Sequence, residues 1–239
     1  MTATVLSASS DAPQQQRHFD RPSNQYPSDN VVRPPTHTAI ELGRVADALR
    51  SVPARGTVVD FGSGTGRLAI AVARAGYRVI AVDLSRASLS VLEEIAAHLG
   101  LANVHTSTSL PEGPVSAVVG ADVLHHVDLE EWLPRLHALL APGGKAAFSE
   151  PGGMNPAWYP FLAARGDFRI EKRIIRSNIA TLQRGFSRHG FRNVTITGVG
   201  LAPRPLLGFR PGVCRRHDSL GNIPGLRWFA YRYLVEATA

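Results

Sequence analysis

The sequence predicts an α/β protein with a doubly wound, mostly parallel sheet. Short apolar segments of strand length alternate with longer segments whose apolar residues have helical spacing, which is typical of this class. At the clearest strand–helix junction, residues 58–67, three alternating glycines separate a β-branched run from an apolar helical segment. A length of 239 residues with 44% apolar content suffices for one ample core. We therefore expect a single domain over residues 34–239.

The predicted elements follow one another with few breaks. After a helix over 36–52, the pattern predicts strand 57–61, helix 66–75, strand 78–83, helix 86–99, strand 102–106, strand 115–120, helix 129–140 and strand 145–150. Residues 142–144, Pro-Gly-Gly, predict a turn into the last of these strands. The rest of the chain predicts helix 178–189, strand 193–199 and a closing strand 228–235, with insertions over 151–176 and 201–227.

The N-terminal residues 1–33 differ in composition from the predicted domain. They are rich in Ser, Gln, Asp, Asn and Pro, and contain few large aliphatic residues. Such a segment is predicted to be mobile. Its isolated aromatic residues, Phe19 and Tyr26, lead us to expect that it closes over a site as a lid.

The glycine loop predicts a nucleotide-like ligand. Glycine is used where φ is positive or where a ligand touches the main chain, and a Gly-rich turn between strand and helix is a nucleotide-binding element. No lysine of a phosphate-binding P-loop is present, and Arg67 stands where a dinucleotide motif has its third glycine. Asp60, just before the loop, would repel phosphate and attract an ammonium group.

An aspartate at the end of the second strand supports this interpretation. Asp83 lies 23 positions after Asp60, and an acid at this distance suits the two hydroxyl groups of a ribose. Leu84 is placed to lie on an adenine face, and Ser85 to cap the next helix. The alternative for Asp83 is an ordinary helix cap or turn residue.

In these segments the chain resembles the class I S-adenosylmethionine-dependent methyltransferases. The similar segments are Val58-Val-Asp-Phe-Gly-Ser-Gly-Thr-Gly66, Val79-Ile-Ala-Val-Asp83, Val123-Leu-His-His-Val127 and Leu139-Leu-Ala-Pro-Gly-Gly-Lys145 with the strand Ala146-Ala-Phe-Ser-Glu150. The last two resemble the small-molecule branch, which includes quinone, sterol and natural-product methyltransferases. The resemblance implies a seven-stranded sheet in the order 3-2-1-4-5-7-6 with the last strand antiparallel. It makes residues 34–150 the cofactor-binding core, and 151–239 the substrate-side insertions and closing strands.

The resemblance also implies S-adenosylmethionine as cofactor and S-adenosylhomocysteine as product. The residues expected to bind it are Asp60, Gly62, Ser63, Gly64, Thr65, Gly66, Asp83, Leu84, Thr106, Ser107, Gly120 and Ala121. Two positions depart from the family's pattern. Thr106 and Ser107 follow the third strand where the family often has an acid near the adenine, and Ser116 replaces a common aspartate in the fourth strand.

Candidate catalytic residues follow the fourth predicted strand. His126 is the favoured general base, because the reference pKa of histidine near 6.5 suits proton transfer at neutral pH. The alternatives are that His125 acts instead, or that either ring packs under the loop. The spacing of Asp122 and His126 is similar to that in phosphoethanolamine methyltransferases, where a lid tyrosine pairs with the histidine, and Tyr26 would take that part. The expected substrate-binding residues are Glu150, Trp158, Tyr159, Arg165 and Arg169.

Composition limits the other function classes. Residues 151–239 contain 14 Lys and Arg against 4 Asp and Glu, which indicates an anionic acceptor, an acidic partner or a solvated surface. No histidine or acid cluster has metal-ligand spacing, so we expect no metal ion. The single Cys214 excludes an internal disulfide. No apolar run is long enough to cross a bilayer, so we expect a cytoplasmic protein, as a monomer or homodimer.

These observations favour methyl transfer to an oxygen or nitrogen of a small molecule, in specialised metabolism. Lipid or quinone methylation is the alternative within the enzymes, because residues 201–209 are largely apolar. A non-catalytic cofactor-binding protein stays open. Nucleic-acid modification is disfavoured, since no aromatic–basic RNA-binding signature is present.

Overall fold

The computed structural model describes residues 12–22, 25–165, 171, 173–203 and 211–239. Within these ranges, seven strands form one sheet in the order β3-β2-β1-β4-β5-β7-β6. The strands are β1 (Thr57–Phe61), β2 (Arg78–Val82), β3 (Val104–Ser107), β4 (Val115–Ala121), β5 (Leu140–Pro151), β6 (Arg192–Val199) and β7 (Arg232–Thr238). Neighbouring strands are parallel except at β7, which is antiparallel to both β5 and β6. The predicted fold class, strand order and antiparallel last strand are confirmed.

Helices cover both faces of the sheet and give the fold three layers. They are α1 (Ala12–Phe19), α2 (Ser28–Val32), α3 (Thr36–Ala48), α4 (Arg67–Arg74), α5 (Arg86–His98), α6 (Leu129–Leu139), α7 (Trp158–Arg165), α8 (Ile179–Arg188) and α9 (Pro211–Leu220). Helices α3, α4 and α5 contribute to the core on one face, and α6 and α8 to the core on the other. Successive strand residues alternate between the two cores, so Val58 belongs to the first and Val59 to the second. Burial on both faces explains the nearly continuous apolar strands in the sequence.

Two strands, β5 and β7, begin four or more residues away from their predicted starts, whereas the others lie within two residues of their predicted bounds. β5 begins at Leu140 and includes residues 142–144, which the sequence predicts as a turn. The Pro-Gly-Gly segment instead interrupts the register, because pairing jumps from Val115↔Leu140 to Ala117↔Lys145.

The closing strand is Arg232–Thr238, so its prediction over 228–235 is wrong at its start. Residues Leu226–Phe229 form a 3-10 turn. Aromatic residues favour strands, which explains the prediction. Trp228 and Phe229 are nevertheless 42% and 49% exposed. The strand β7 lies inside the sheet and is formed by the mostly buried residues that follow them.

The N-terminal segment contains α1 and α2 in its described part. Val31 of α2 is buried in the core beside α3 and α4. Residues 1–11 and the side chain of Phe19 lie outside the described part, and the mobility of the segment stays a prediction. Among the described residues, none of the helices combines the length and apolar character that a membrane crossing requires.

Candidate functional site

A cavity of about 710 Å³ lies at the carboxyl ends of β1, β2 and β4. In a doubly wound sheet this edge is where ligands bind. Residues from the glycine loop, the turn after β4, the insertion after β5 and the N-terminal segment all line it. The cavity is therefore bordered by the segments in which the sequence predicts site residues, with the exception of the end of β3.

The three loop glycines have different reasons to be glycine. All have positive φ, at +72° for Gly62, +52° for Gly64 and +94° for Gly66. A side chain at Gly62 would collide with Val123, and one at Gly66 with Leu92, so these two are required by packing within the protein. At Gly64 no described heavy atom lies within 4 Å of the position of a Cβ atom, and the residue lines the cavity. Gly64 is therefore the loop glycine that leaves room for a ligand.

This difference predicts unequal costs for substitution. Gly64→Ala should lower the free energy of unfolding by about 1–2 kcal/mol, from its left-handed backbone alone. Gly62→Ala should cost about 1–3 kcal/mol more, because overpacking against Val123 is added. Urea denaturation measures both. Gly43→Ala in α3 is the control, since it meets no atom within 4 Å, and it should be neutral or stabilising. Equal losses at positions 62 and 64 would contradict the packing argument.

Three polar side chains in and before the loop point to a ligand. Asp60 is only 1% exposed, and no side chain among the described residues hydrogen-bonds its oxygens, although the backbone N–H of Ala69 lies close enough to oppose the rise of its pKa. The hydroxyl groups of Ser63 and Thr65 are buried and lack partners in the same described set. Desolvation by burial raises the pKa of Asp60 to about 7. Buried polar groups are normally hydrogen-bonded, so this cluster is suited to a bound molecule that supplies both a cation and acceptor atoms.

Asp83 connects the loop to the start of α5. Its carboxylate accepts hydrogen bonds from the backbone N–H of Gly64 at 2.7 Å and from that of Ser85 at 2.8 Å. Burial raises its pKa, although these two bonds oppose the shift. Asp83 and Leu84 both line the cavity. The carboxylate thus holds the loop in shape at the place where the sequence predicts ribose binding.

The other predicted cofactor residues are divided by the fold. Ala121 lines the cavity, whereas Thr106, Ser107 and Gly120 are not among its lining residues. The Thr106 hydroxyl donates to Glu93, and the Ser107 hydroxyl donates to the backbone oxygen of Ser109 at 2.8 Å. Gly120 is required by packing, because a side chain there would meet Phe148 and Val123.

Glu150 fastens the turn that carries the two histidines. Its carboxylate accepts backbone N–H bonds from Val123 and Leu124, both at 2.9 Å, and from His125 at 3.3 Å. The same carboxylate lies 2.7 Å from Nδ1 of His125. Glu150 is fully buried and is not a cavity-lining residue. It therefore contacts the turn that carries the histidines, and not the space where the sequence predicts a substrate.

The two histidines meet Glu171, which comes from the insertion after β5. Nε2 of His125 lies 3.0 Å from one Glu171 oxygen, and Nε2 of His126 lies 3.8 Å from the other. Burial opposes protonation of His125, but the hydrogen bonds that its ring donates to Glu150 and Glu171 outweigh burial and raise its pKa to about 10. Burial and the neighbouring His125 lower the pKa of His126 to about 3. His126 is therefore a neutral ring at physiological pH.

A second charged network also borders the cavity. Arg232 of β7 pairs with Glu41 at 2.8 Å and with Asp122 at 2.7 Å, and Asp122 also accepts from Arg67 at 3.2 Å. The Arg67 guanidinium lies 3.5 Å from the centre of the Tyr26 ring. Burial opposes ionisation of Asp122, but the two arginines hold its pKa well below the usual range. Tyr26 thus lines the cavity in contact with Arg67, whereas the sequence predicts a pair with His126.

The predicted substrate residues after β5 are only partly described. Trp158 lines the cavity and stacks on Tyr231, with ring centres 4.5 Å apart. The Tyr159 hydroxyl donates to the backbone oxygen of Gly153 at 2.8 Å, and Tyr159 is not a lining residue. The side chain of Arg165 and all of Arg169 lie outside the described residues.

Sequence reasoning missed four charged residues of the site, namely Glu41, Arg67, Glu171 and Arg232. Arg67 directly follows the glycine loop, which was a usable signal. The others act through partners far along the chain, such as Glu171 with His125 46 positions away. Nothing local marks such residues.

Comparison with known proteins gives the family. The sequence profile described as a methyltransferase domain matches residues 40–196. The ribosomal protein L11 methyltransferase of Vibrio cholerae serotype O1 is 39% identical over 97 residues, which are 39% of this chain and 32% of the relative. An uncharacterized methyltransferase of Mycobacterium bovis is 35% identical over 92 residues, 37% of each chain. The matched segments span about a third of the length of these curated relatives.

Solved structures of methyltransferases share the fold. Phosphoethanolamine N-methyltransferase 2 of Haemonchus contortus, solved with S-adenosyl-L-methionine, has a TM-score of 0.63 at 16% identity and covers 93% of this chain and 59% of its own. Geranyl diphosphate C-methyltransferase of Streptomyces coelicolor has a TM-score of 0.57 at 18% identity, with coverage of 83% and 75%. These likenesses show a common fold, and the profile covers more than half of the sequence. The chain therefore belongs to the methyltransferase-domain family.

Proposed function

We propose that this chain transfers a methyl group from S-adenosylmethionine to an oxygen or nitrogen of a small molecule, and leaves S-adenosylhomocysteine. Family membership supports the reaction class. The observation that carries the cofactor assignment is the buried Asp60 carboxylate, which receives no hydrogen bond from any described side chain and lines the cavity beside the loop. It matches a ligand with an ammonium group and no phosphate.

The residues around the loop fit this cofactor. Asp60 would hold the ammonium group, and the hydroxyls of Ser63 and Thr65 would donate to the carboxylate of its methionine part. Asp83 would accept from the ribose hydroxyls, with Leu84 against the adenine. When bound, the cofactor supplies a methyl group on a positively charged sulfur.

The other side of the cavity fits a small acceptor. A pocket of about 300–1,000 Å³ with apolar walls and a few polar groups is typical of small-molecule sites, and this one has about 710 Å³. The walls and polar groups that support the proposal are Trp132, Trp158, Leu162, Ile174, His125, His126 and Glu171. Holding the acceptor in line with the methyl group is expected to supply much of the rate.

The N-terminal segment supports a closed site. Gln16, His18 and Tyr26 line the cavity, and the Ser85 hydroxyl beside Asp83 donates to Asp20 at 2.6 Å. A segment fastened in this way would exclude water from the acceptor, as the lid hypothesis requires. We keep residues 1–33 as a proposed lid.

The proposed role of His126 as general base has weaker support. With a pKa near 3, its ring holds a proton poorly, and an efficient base has a pKa near the working pH. His126 and Glu171 still face the acceptor side of the cavity, so they remain candidates for contact with the acceptor.

Methylation of a protein is a second candidate, because the Vibrio relatives are ribosomal protein L11 methyltransferases. An acceptor on a protein must reach the methyl group through an open entrance. The lining by Gln16, His18 and Tyr26 argues for a smaller acceptor.

A transfer assay decides between these candidates. The full chain is incubated with methyl-labelled cofactor and either a panel of small hydroxylated and amine compounds, including quinols and phospholipids, or ribosomal protein L11. We expect label only in small molecules, and much less of it at limiting cofactor with an Asp83→Ala variant, whose loss of charged hydrogen bonds should weaken cofactor binding by about 2–4 kcal/mol. Labelled L11 alone would overturn the proposal.

A further inference from the structure

We propose that His125, His126 and Glu171 bind a divalent transition-metal ion on the acceptor side of the cavity. One ligand atom from each of these residues lies within 4.8 Å of the others. All three residues line the cavity. The sequence predicts no metal because Glu171 lies 46 positions after His125, beyond α6 and β5, and only the fold brings the three together.

The donor set suits a particular class of ion. Two imidazole nitrogens and one carboxylate match Fe²⁺, Mn²⁺, Co²⁺ or Zn²⁺, whereas Mg²⁺ and Ca²⁺ prefer oxygen donors. Three protein ligands leave coordination positions open, as in catalytic sites. Those positions would face the cavity that the three residues line.

Glu150 provides the support that metal-binding histidines usually have. A ligating imidazole commonly hydrogen-bonds a carboxylate through its other nitrogen, which fixes the ring. Nδ1 of His125 meets the fully buried Glu150 at 2.7 Å, which leaves Nε2 directed toward Glu171. Backbone N–H groups of Val123 and Leu124 hold Glu150 in turn. The ring of His125 is thereby fixed before any ion binds.

The charges are also suitable. Two carboxylates, Glu150 and Glu171, flank His125, so with neutral rings this corner carries two negative charges. A divalent ion would balance them. A proton on His125 would balance one of them and would hold Glu171 by an ion pair, which is the competing explanation for the cluster.

The role of the ion rests on the proposed function. It would hold an oxygen of the acceptor and lower the pKa of its hydroxyl group, so that the proton leaves to solvent. The acceptor oxygen then forms a bond to the methyl carbon, and the electron pair of the broken carbon–sulfur bond stays on sulfur. This would remove the need for a strong base at His126.

Cobalt binding tests the proposal. The full chain is treated with a chelator, dialysed and titrated with Co²⁺, with visible absorption and calorimetry as readouts. His126→Ala and Glu171→Gln should each weaken binding more than 100-fold, and Glu150→Gln by about 10–100-fold. The controls His105→Ala and Glu112→Gln alter exposed residues and should bind as the wild type does.

Calorimetry with S-adenosylhomocysteine on the same samples shows whether each variant is folded. It also tests the cofactor assignment independently of metal binding. Glu171→Gln should keep its affinity for S-adenosylhomocysteine, which shows a folded cofactor site. The metal proposal is overturned if the wild type shows no saturable binding of Co²⁺, Mn²⁺ or Zn²⁺, or if His126→Ala and Glu171→Gln bind as tightly as the controls. Loss of S-adenosylhomocysteine binding by the wild type, with Co²⁺ binding intact, would contradict only the proposed function.

Discussion

Replacing Asp60 with asparagine should make the cofactor-free protein more stable above pH 7 and, in the same variant, nearly abolish cofactor binding. Burial raises the pKa of Asp60 to about 7, above its unfolded value of about 3.9. The protonated carboxyl therefore contributes stability that is present below pH of about 4 and is lost as the pH rises to about 7. The shift corresponds to roughly 4 kcal/mol at 1.36 kcal/mol per unit.

Asparagine stays neutral, so it avoids this loss, while its buried amide costs about 1–3 kcal/mol if unpaired. We expect a net gain of roughly 2 kcal/mol in the free energy of unfolding above pH 7, and none at low pH. Urea denaturation across this pH range measures it. Asp47→Asn, at an exposed position of α3, is the control and should change stability by less than about 0.5 kcal/mol. A variant less stable than the wild type at every pH would contradict the argument.

The same variant should bind S-adenosylhomocysteine at least about 100-fold more weakly, because removing one partner of a buried charge pair costs about 3–5 kcal/mol. In the wild type, affinity should fall as the pH drops below about 7, since the protonated carboxyl no longer attracts the ammonium group. This pH dependence should be absent in Asp60→Asn. Unchanged affinity in the variant, measured by calorimetry, would refute the role of Asp60.

Arg232→Met should cause the largest loss of stability. Arg232 is buried and pairs with Asp122 and Glu41, so its removal takes one cation away from two carboxylates, of which Asp122 keeps its pair with Arg67. Breaking a buried ion pair from one side typically costs about 3–5 kcal/mol. Urea denaturation at neutral pH checks this. Arg78→Met, at the exposed start of β2, should cost less than about 0.5 kcal/mol.

A double variant identifies the cause. If the loss comes from stranded charge, adding Asp122→Asn to Arg232→Met should restore part of it, with a coupling of about 0.5–3 kcal/mol. Strictly additive losses would show instead that Arg232 acts through packing. Both substitutions also alter the surroundings of Tyr26, because the Tyr26 ring contacts Arg67, and Arg67 pairs with Asp122.

The fold was largely predictable because its signals are local. Apolar strands such as β1 and β2, the glycine loop and the Ser85 cap each depend on neighbouring residues, and the resemblance supplied the strand order. The error at the closing strand has a physical cause. Trp228 and Phe229 have strand-forming side chains, but they lie in an exposed turn, and exposure is set by the tertiary structure.

The site was predictable only in its loop. Asp60 and Asp83 lie at the carboxyl ends of parallel strands, so their positions follow from the sheet. Glu150 was expected at the substrate, and the structure instead shows it bound to three backbone N–H groups below the histidine turn. The sequence predicts that Glu150 lies at the end of a strand. It does not predict which groups its side chain contacts, because those partners are set by the tertiary structure. Glu171 and Arg232 were missed for the same reason.

The position of β7 between β5 and β6 has a consequence for the order of synthesis. β6 is hydrogen-bonded only to β7 in this sheet, so it has no partner strand while the ribosome has yet to release residues 232–238. Until then, the nascent chain presents an unpaired edge on β5 and a β6 segment without any partner strand, and unpaired strand edges favour aggregation. We expect the nascent chain to need chaperone protection from the synthesis of β5 until that of β7, and to complete its sheet only after translation has passed β7.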